Sequence, residues 1–277
     1  MKEAGGVFHR TLRAADIPAA MQLSSEAGWN QTEDDWRMLI ELSPQGCLAL
    51  EMDGDVVATT TLLCYGNRLA WIGMVLTKMT YRGRGFARQL LTEALSIADR
   101  RQIETVKLDA TDQGQPLYER LGFRPEKTIE RWMRSGNVGP PAPESRVRLN
   151  SSVQWQDTDT AAFGAERKEV LSRLAERHAP LSQLHSYLMT RNGRVSRYLG
   201  PCIAESPSIA RSLIVNALQT SSPEGWAWDL FPSNAIATTI AKEFSFSPQR
   251  HLMRMVRGKD LCDQENRIYA IAGFELG

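Results

Sequence analysis

Met74-Val-Leu-Thr-Lys-Met-Thr-Tyr-Arg-Gly-Arg-Gly-Phe-Ala-Arg-Gln-Leu-Leu91 is the stretch that decides the reading of this chain. An apolar run ends in a basic loop broken by glycines, Arg82-Gly83-Arg84-Gly85-Phe86-Ala87. Phe86, Leu90, Leu91, Ala94, Leu95 and Ala98 then recur at helical spacing, with Arg88, Thr92, Glu93 and Asp99 between them. Strand, glycine loop and helix start together present free backbone N–H groups and a positive dipole end to an anion. Glycines permit positive φ and let the backbone come close to a phosphate. Arg82, Arg84 and Arg88 add full charges. The loop is therefore expected to hold a phosphorylated ligand; a tight turn with a solvated basic face is the alternative.

Two common phosphate loops do not fit. No Lys-Ser/Thr follows Gly85, as a P-loop requires, and Arg88 stands where a dinucleotide fingerprint needs its third glycine or alanine. Downstream, Thr105-Val-Lys-Leu-Asp-Ala110 reads as a short strand. Gln115-Pro-Leu-Tyr-Glu-Arg-Leu-Gly-Phe123 reads as a short helix with Pro116 in its first turn and Gly122 at its end.

Arg82-x-x-Gly85-x-Ala87, followed by Leu-Tyr-x-Arg-Leu-Gly-Phe after the next strand, resembles the two motifs of the GNAT (GCN5-related) N-acetyltransferase superfamily. The resemblance implies that Arg82, Gly83, Arg84, Gly85, Phe86 and Ala87 grip the pyrophosphate of coenzyme A. It implies that the backbone of Met74, Val75 and Leu76 receives the pantetheine arm, and that Tyr118 protonates the departing thiolate. A phenol near pKa ~10 and a thiol near ~8.5 are close enough for that transfer. The implied donor is acetyl-CoA, without a metal, and the acceptor an amine on a small molecule or peptide, acetylated by direct attack in a ternary complex. The implied fold is α/β (α+β): a mixed, mainly antiparallel sheet flanked by helices, with parallel strands splayed at the coenzyme A site.

Local signals agree with that element order. Phe8–Arg13 reads as a strand and Ala14–Leu23 as a helix. Thr32 stands as N-cap to Glu33, Asp34 and Asp35. Strands at 46–51, 56–63 and 69–76 are joined by Asp53-Gly54 and Gly66-Asn67 turns. The base is not readable: Glu26, Glu33, Asp34 and Asp112 are candidates with equally plain roles as surface, cap or turn acids. Trp29 and Trp36 fit either a pocket wall or the core.

Gly136-Asn-Val-Gly-Pro-Pro-Ala-Pro-Glu144 is linker-like, and beyond it the chain echoes itself. Lys107-Leu-Asp109 is matched by Ala227-Trp-Asp229, and Leu121-Gly-Phe123 by Phe244-Ser-Phe246. Arg131-Trp-Met-Arg-Ser-Gly136 is matched by Leu252-Met-Arg-Met-Val-Arg-Gly258. Order repeated at a similar spacing implies a second copy of one fold. The expected division is a catalytic domain at 1–136, a linker at 137–150 and a degenerate GNAT-like domain at 151–277. The second copy lacks the paired glycines, and Asn234–Ala241 holds no tyrosine. Ser206 or Ser208 could cap its helix, read from Arg211 to Leu218. Asp159–Arg167, Leu199-Gly-Pro201 and Arg254-Met255 resemble the C-terminal domain of some bacterial acetyltransferases, the YitI-like proteins among them. Here the second domain is expected to shape the acceptor pocket or to mediate homodimer formation.

Among 277 residues the formal net charge is +1, too small to attract nucleic acid. No apolar run approaches a membrane span, and Met1–Gly6 lacks a signal-peptide core. Cys47, Cys64, Cys202 and Cys262 show no paired spacing and His9, His178, His185 and His251 are scattered, so reduced thiols, no metal and a cytoplasmic setting are expected. A non-catalytic acyl-CoA sensor is the competing reading, because the strand Leu69–Leu76 holds no acid.

Overall fold

A computed structural model describes residues 6–142 and 155–277. The expected linker lies outside the described residues from 143 onward, as do residues 1–5 and 151–154.

The first half runs β1 (Val7–Thr11), α1 (Ile17–Glu26), α2 (Glu33–Leu42), β2 (Cys47–Met52), β3 (Asp55–Tyr65), β4 (Leu69–Thr77), α3 (Phe86–Arg100), β5 (Thr105–Ala110), α4 (Gln115–Glu119) and β6 (Arg124–Arg134). The second runs α5 (Trp155–Phe163), α6 (Lys168–Arg177), β7 (Leu181–Gln183), β8 (Ser186–Arg191), β9 (Arg197–Ile203), α7 (Pro207–Leu218), β10 (Trp226–Leu230), α8 (Ala235–Glu243), β11 (Ser247–Gly258) and β12 (Ile268–Ala270). The local signals act as expected. Thr32 Oγ1 accepts from Asp35 N at 3.3 Å while the Asp35 carboxylate accepts from Thr32 N at 2.8 Å, closing a capping box. Asp53 and Gly54 both take positive φ, 54° and 86°, in the β2–β3 hairpin. The helical stripe from Phe86 to Ala98 is buried on one face of α3.

The fold is the expected mixed, mainly antiparallel α/β arrangement, with the sheets of the two halves fused. Among the described residues the sheet has twelve strands in the order β1-β2-β3-β4-β5-β11-β6-β10-β9-β8-β7, with β12 on β9. Only β4–β5 and β9–β10 are parallel. The order reveals an exchange: β11 from the second half lies against β5, and β6 from the first lies against β10. Each half thereby gives the other the strand that follows its short helix, β6 after α4 and β11 after α8.

Side chains follow the exchange. Asp109 on β5 receives Nε and Nη2 of Arg254 from β11 at 2.9 and 3.1 Å. Asp229 on β10 receives Nε and Nη2 of Arg131 from β6 at 2.7 and 2.6 Å. These are the echoed acids, and each takes its arginine from the other half. One apolar cluster also spans both halves, uniting Trp36, Leu39 and Trp71 with Leu171, Tyr187 and Phe231. Asn30 ties the halves further: its Nδ2 donates to Ser196 O at 2.9 Å, and its Oδ1 accepts from Val195 N and Ser196 N at 2.7 and 3.0 Å.

Cys47 and Cys202 are buried, Cys64 is half-buried and Cys262 is exposed. Burial pushes the Cys47 thiol up to about 12 and raises that of Cys202 too, so their thiolates are scarce at neutral pH. In a thiol-reagent titration, Cys262 is expected to react first, and Cys47 and Cys202 only after denaturant is added. Prompt labelling of Cys47 in native protein, read by peptide mass, would contradict this burial. No helix among the described residues is long and apolar enough to cross a membrane.

Candidate active site

Parallel strands pair only while their twist keeps them together. β4 and β5 pair at Leu69–Thr105, Ala70–Val106 and Trp71–Lys107, then part. Two connected cavities occupy the gap. An outer groove of about 630 Å³ runs along the glycine loop, and an inner chamber of about 90 Å³ lies between Ile72–Val75 of β4 and Leu108–Asp109 of β5. Trp29, Val75, Thr111, Tyr118 and Arg250 line both and mark the junction.

The outer groove collects Val75, Leu76, Arg82, Gly83, Gly85, Phe86, Ala87, Arg88 and Tyr118. Gly83 and Gly85 adopt φ of 77° and 81°, where a β-carbon would strain the backbone. Gly85 is the N-cap of α3, and no side chain caps this helix among the described residues. The first amides of a fifteen-residue helix thus open toward the groove with the dipole behind them. Arg84 is not among the lining residues but lies over Tyr81, which is, with its guanidinium 5.0 Å from the ring centre. Met74 lies inward, lining the chamber. It takes φ of 50°, and its carbonyl accepts from Thr59 Oγ1 at 2.8 Å. The strand bulges here, with Met74 and Val75 together opposite Thr60, which turns Val75 toward the junction.

Tyr118 sits near the end of the short helix α4. Its ring packs edge-on to Phe123 at 6.2 Å, and a β-carbon on Gly114 would come within 3.0 Å of it. It is 8% exposed, and burial raises its phenol well above the ordinary value. The hydroxyl has no hydrogen-bond partner among the described residues and is a neutral donor at physiological pH.

None of the four candidate bases lines either cavity. Glu26 is exposed and accepts from Gln22 Nε2 at 2.9 Å; Glu33 and Asp34 are exposed in the first turn of α2. Asp112 is exposed 3.3 Å from His251. The two tryptophans divide: Trp29 walls both cavities, while Trp36 is fully buried in the core. Cys64 lies on β3 with its Sγ accepting from Arg101 Nη1 at 3.6 Å, and burial raises its thiol.

The acids that do line the chamber are Asp109 and Glu275. Glu275 accepts from Arg191 Nη2 and from Gln31 Nε2, both at 2.9 Å. Sequence reasoning passed over it because nothing around Gly273–Gly277 signals a site. The segment is placed by its backbone: Phe274 O accepts from Trp71 Nε1 at 2.9 Å and Leu276 O from Tyr65 Oη at 2.6 Å. Gly73 makes room, since a β-carbon there would meet Glu275 Cα at 3.0 Å. Asp109 carried one signal, its echo in Asp229.

In the second half the corresponding gap is filled. β9 and β10 pair over Arg197–Trp226, Tyr198–Ala227 and Leu199–Trp228, then diverge. β12 lies on β9, and Ile271 N donates to Asp229 O of β10 at 3.0 Å, so the chain bridges the opening. The helix here is longer than expected, beginning at Pro207, and of the two serines it is Ser206 that caps it, through Ile209 N at 3.4 Å. The helix-start amides left uncapped in α3 are partly satisfied in α7.

Residues 16–123 match the acetyltransferase (GNAT) family model, and residues 156–270 match an acetyltransferase (GNAT) domain model. The uncharacterized N-acetyltransferase YitH of Bacillus subtilis is 25% identical over 219 residues, 73% of this chain and 75% of that protein. The holothin acyltransferase of a Pseudoalteromonas species is 23% identical over 260 residues, 90% of this chain and 87% of its own. A crystal structure from Pyrococcus horikoshii shares the fold with a TM-score of 0.82 at 24% identity, covering 98% of this chain and 96% of that one. A GCN5-related N-acetyltransferase from Sphaerobacter thermophilus superposes with a TM-score of 0.66 at 17% identity, covering 92% and 98%. With a match in each half on this repeated frame, the chain belongs to the GNAT acetyltransferase family as a tandem member.

Proposed function

We propose that the first half transfers an acetyl group from acetyl-CoA to a primary amine by direct attack in a ternary complex. The observation that carries this reading is the open β4–β5 gap, along which the glycine loop, Tyr118 and an inner chamber follow one another. The amides of Gly83–Ala87 and the uncapped start of α3 suit a pyrophosphate, with Arg82 and Arg88 beside them. Val75 and Leu76 offer backbone to the pantetheine arm along the outer groove. The acceptor nitrogen, having lost its ammonium proton, forms the new N–C bond as the C–S bond breaks and releases a second proton to solvent, leaving the neutral amide. Tyr118 then gives its proton to the leaving sulfur and regains one from solvent.

The reading assigns residues 1–136 to a catalytic domain, 137–150 to a linker and 151–277 to a domain that completes the site without a donor groove of its own. The filled β9–β10 gap supports that assignment. The near-neutral charge and the unpaired cysteines support a cytoplasmic setting, without a nucleic-acid partner.

The test is calorimetry with coenzyme A, followed by thiol release from acetyl-CoA over a panel of amines. Coenzyme A binding with amine-dependent thiol release is the expected result, and no binding would sink the reading. Arg82→Gln is expected to weaken coenzyme A binding by about tenfold, the loss of one charge-assisted contact. A specific observation favours a sensor as the second reading: both acids of the chamber, Asp109 and Glu275, are held by arginines. Tight binding with no turnover on any amine would select it.

A further inference from the structure

The inner chamber has one cation too many. Each buried acid around it is matched by an arginine: Asp109 by Arg254, Asp229 by Arg131 and Glu275 by Arg191. Asp35, behind Glu275, is held by Arg177 at 2.6 Å and by Arg191 at 3.8 Å. Arg250 remains. It enters from β11 at an irregularity in the β6 pairing, between Pro248 and Arg250, and lines both the chamber and the junction with the outer groove. Among the described residues no carboxylate lies within 4.0 Å of it, and its guanidinium lies 5.9 Å from the ring centre of Phe274. Partial burial, aggravated by Arg131 nearby, disfavours its charge, and Asp229, already paired with Arg131, offsets only part of that cost. A half-buried guanidinium without a counter-ion is costly, and a bound anion would relieve that cost.

A second group in the chamber also lacks a partner. Gln31 Nε2 donates to Glu275, which fixes the amide orientation and leaves Oε1 buried without a donor. A chamber with an unpaired cation and an orphaned acceptor suits a ligand bearing an anion and an N–H donor.

Resting on the transfer reading above, we propose that the acceptor is a small α-amino acid, its carboxylate seated on Arg250 and its amine presented on the Gln31 side of the chamber. The second half would thereby choose the substrate of the first, because Arg250 reaches the site only through the exchanged strand.

The experiment follows thiol release from acetyl-CoA with each of the twenty common α-amino acids and with its carboxamide, which removes only the anion. Wild type is expected to prefer the acid of a matched pair by about 10- to 100-fold in kcat/KM, the range of a charged hydrogen-bonded contact. Arg250→Gln is expected to collapse that ratio to within about threefold, and Arg250→Lys to restore part of it. Thermal unfolding of each variant confirms that the ratio is read on folded protein. Carboxamides used as well as acids by wild type, or a preference that survives in Arg250→Gln, would overturn the proposal while leaving acetyl transfer standing. So would a preference for succinyl-CoA over acetyl-CoA that Arg250→Gln abolishes, since the carboxylate would then belong to the donor. Absence of thiol release with every amine would remove the transfer reading and this proposal with it.

Discussion

Replacing Arg254 by methionine is expected to lower the unfolding free energy by about 3–5 kcal/mol, the usual cost of leaving one member of a buried ion pair alone. Arg254 is nearly inaccessible and grips Asp109 through two parallel contacts. Its guanidinium lies 4.5 Å from the ring centre of Trp71 and 5.1 Å from that of Phe231, so the pair is held between aromatics from both halves. Methionine fills much of the volume but strands the Asp109 carboxylate. Replacing both, as Asp109→Asn with Arg254→Met, is expected to restore about half of the loss or more. Urea unfolding followed by tryptophan fluorescence measures both, and equal losses in the single and double variants would disprove the cross-half pairing as the cause.

The pH dependence has a definite sign. Burial raises the Asp109 carboxyl and Arg254 opposes it, so removing Arg254 lets burial act unopposed. An acid whose folded pKa lies above its unfolded value of about 3.9 binds its proton more tightly in the native state. Stability from such a group falls as pH rises from the unfolded value through the folded one. The deficit of Arg254→Met should therefore be smaller near about pH 4 than at about pH 8.

Tyr118→Phe is expected to reduce kcat by about 10²- to 10⁴-fold, the range for a lost general acid, with acetyl-CoA affinity changed by less than about tenfold. The ring keeps its packing on Phe123 and Gly114, so only the hydroxyl is deleted. Because burial raises the phenol, Tyr118 stays protonated beyond about pH 10 and adds no alkaline limb to the wild-type rate below that value. Steady-state kinetics with stopped-flow binding separate the two effects. An undiminished kcat would assign proton delivery elsewhere.

What was legible lay close in the chain. The glycine loop, the stripe of α3 and the Leu-Tyr-x-Arg-Leu-Gly-Phe helix are local patterns, fixed by φ preferences, helix periodicity and capping. The repeat announced a second copy, and the missing glycines and tyrosine set it apart from the first. The candidate bases failed because charge on a helix surface says nothing about which acids reach a cavity. Glu275 meets Gln31 across a separation of 244 residues, and Arg254 meets Asp109 across 145. The echo did not foretell the exchange: Arg131 lies in the same half as Asp109 and Arg254 in the same half as Asp229, but each acid takes the arginine of the other half.

The sequence by itself determined that a basic, glycine-broken turn precedes an amphipathic helix, that a tyrosine follows, and that one frame is built twice. Those features depend on neighbours within a few turns of chain. The tertiary structure alone decided that β6 and β11 change places, that the second gap is bridged by Ile268–Ile271, and that Arg250 and Glu275 face the first. Strand pairing satisfies the same backbone hydrogen bonds whichever half supplies the partner, so local sequence leaves that choice open. Burial, ion pairing and cavity shape across the whole fold then set it.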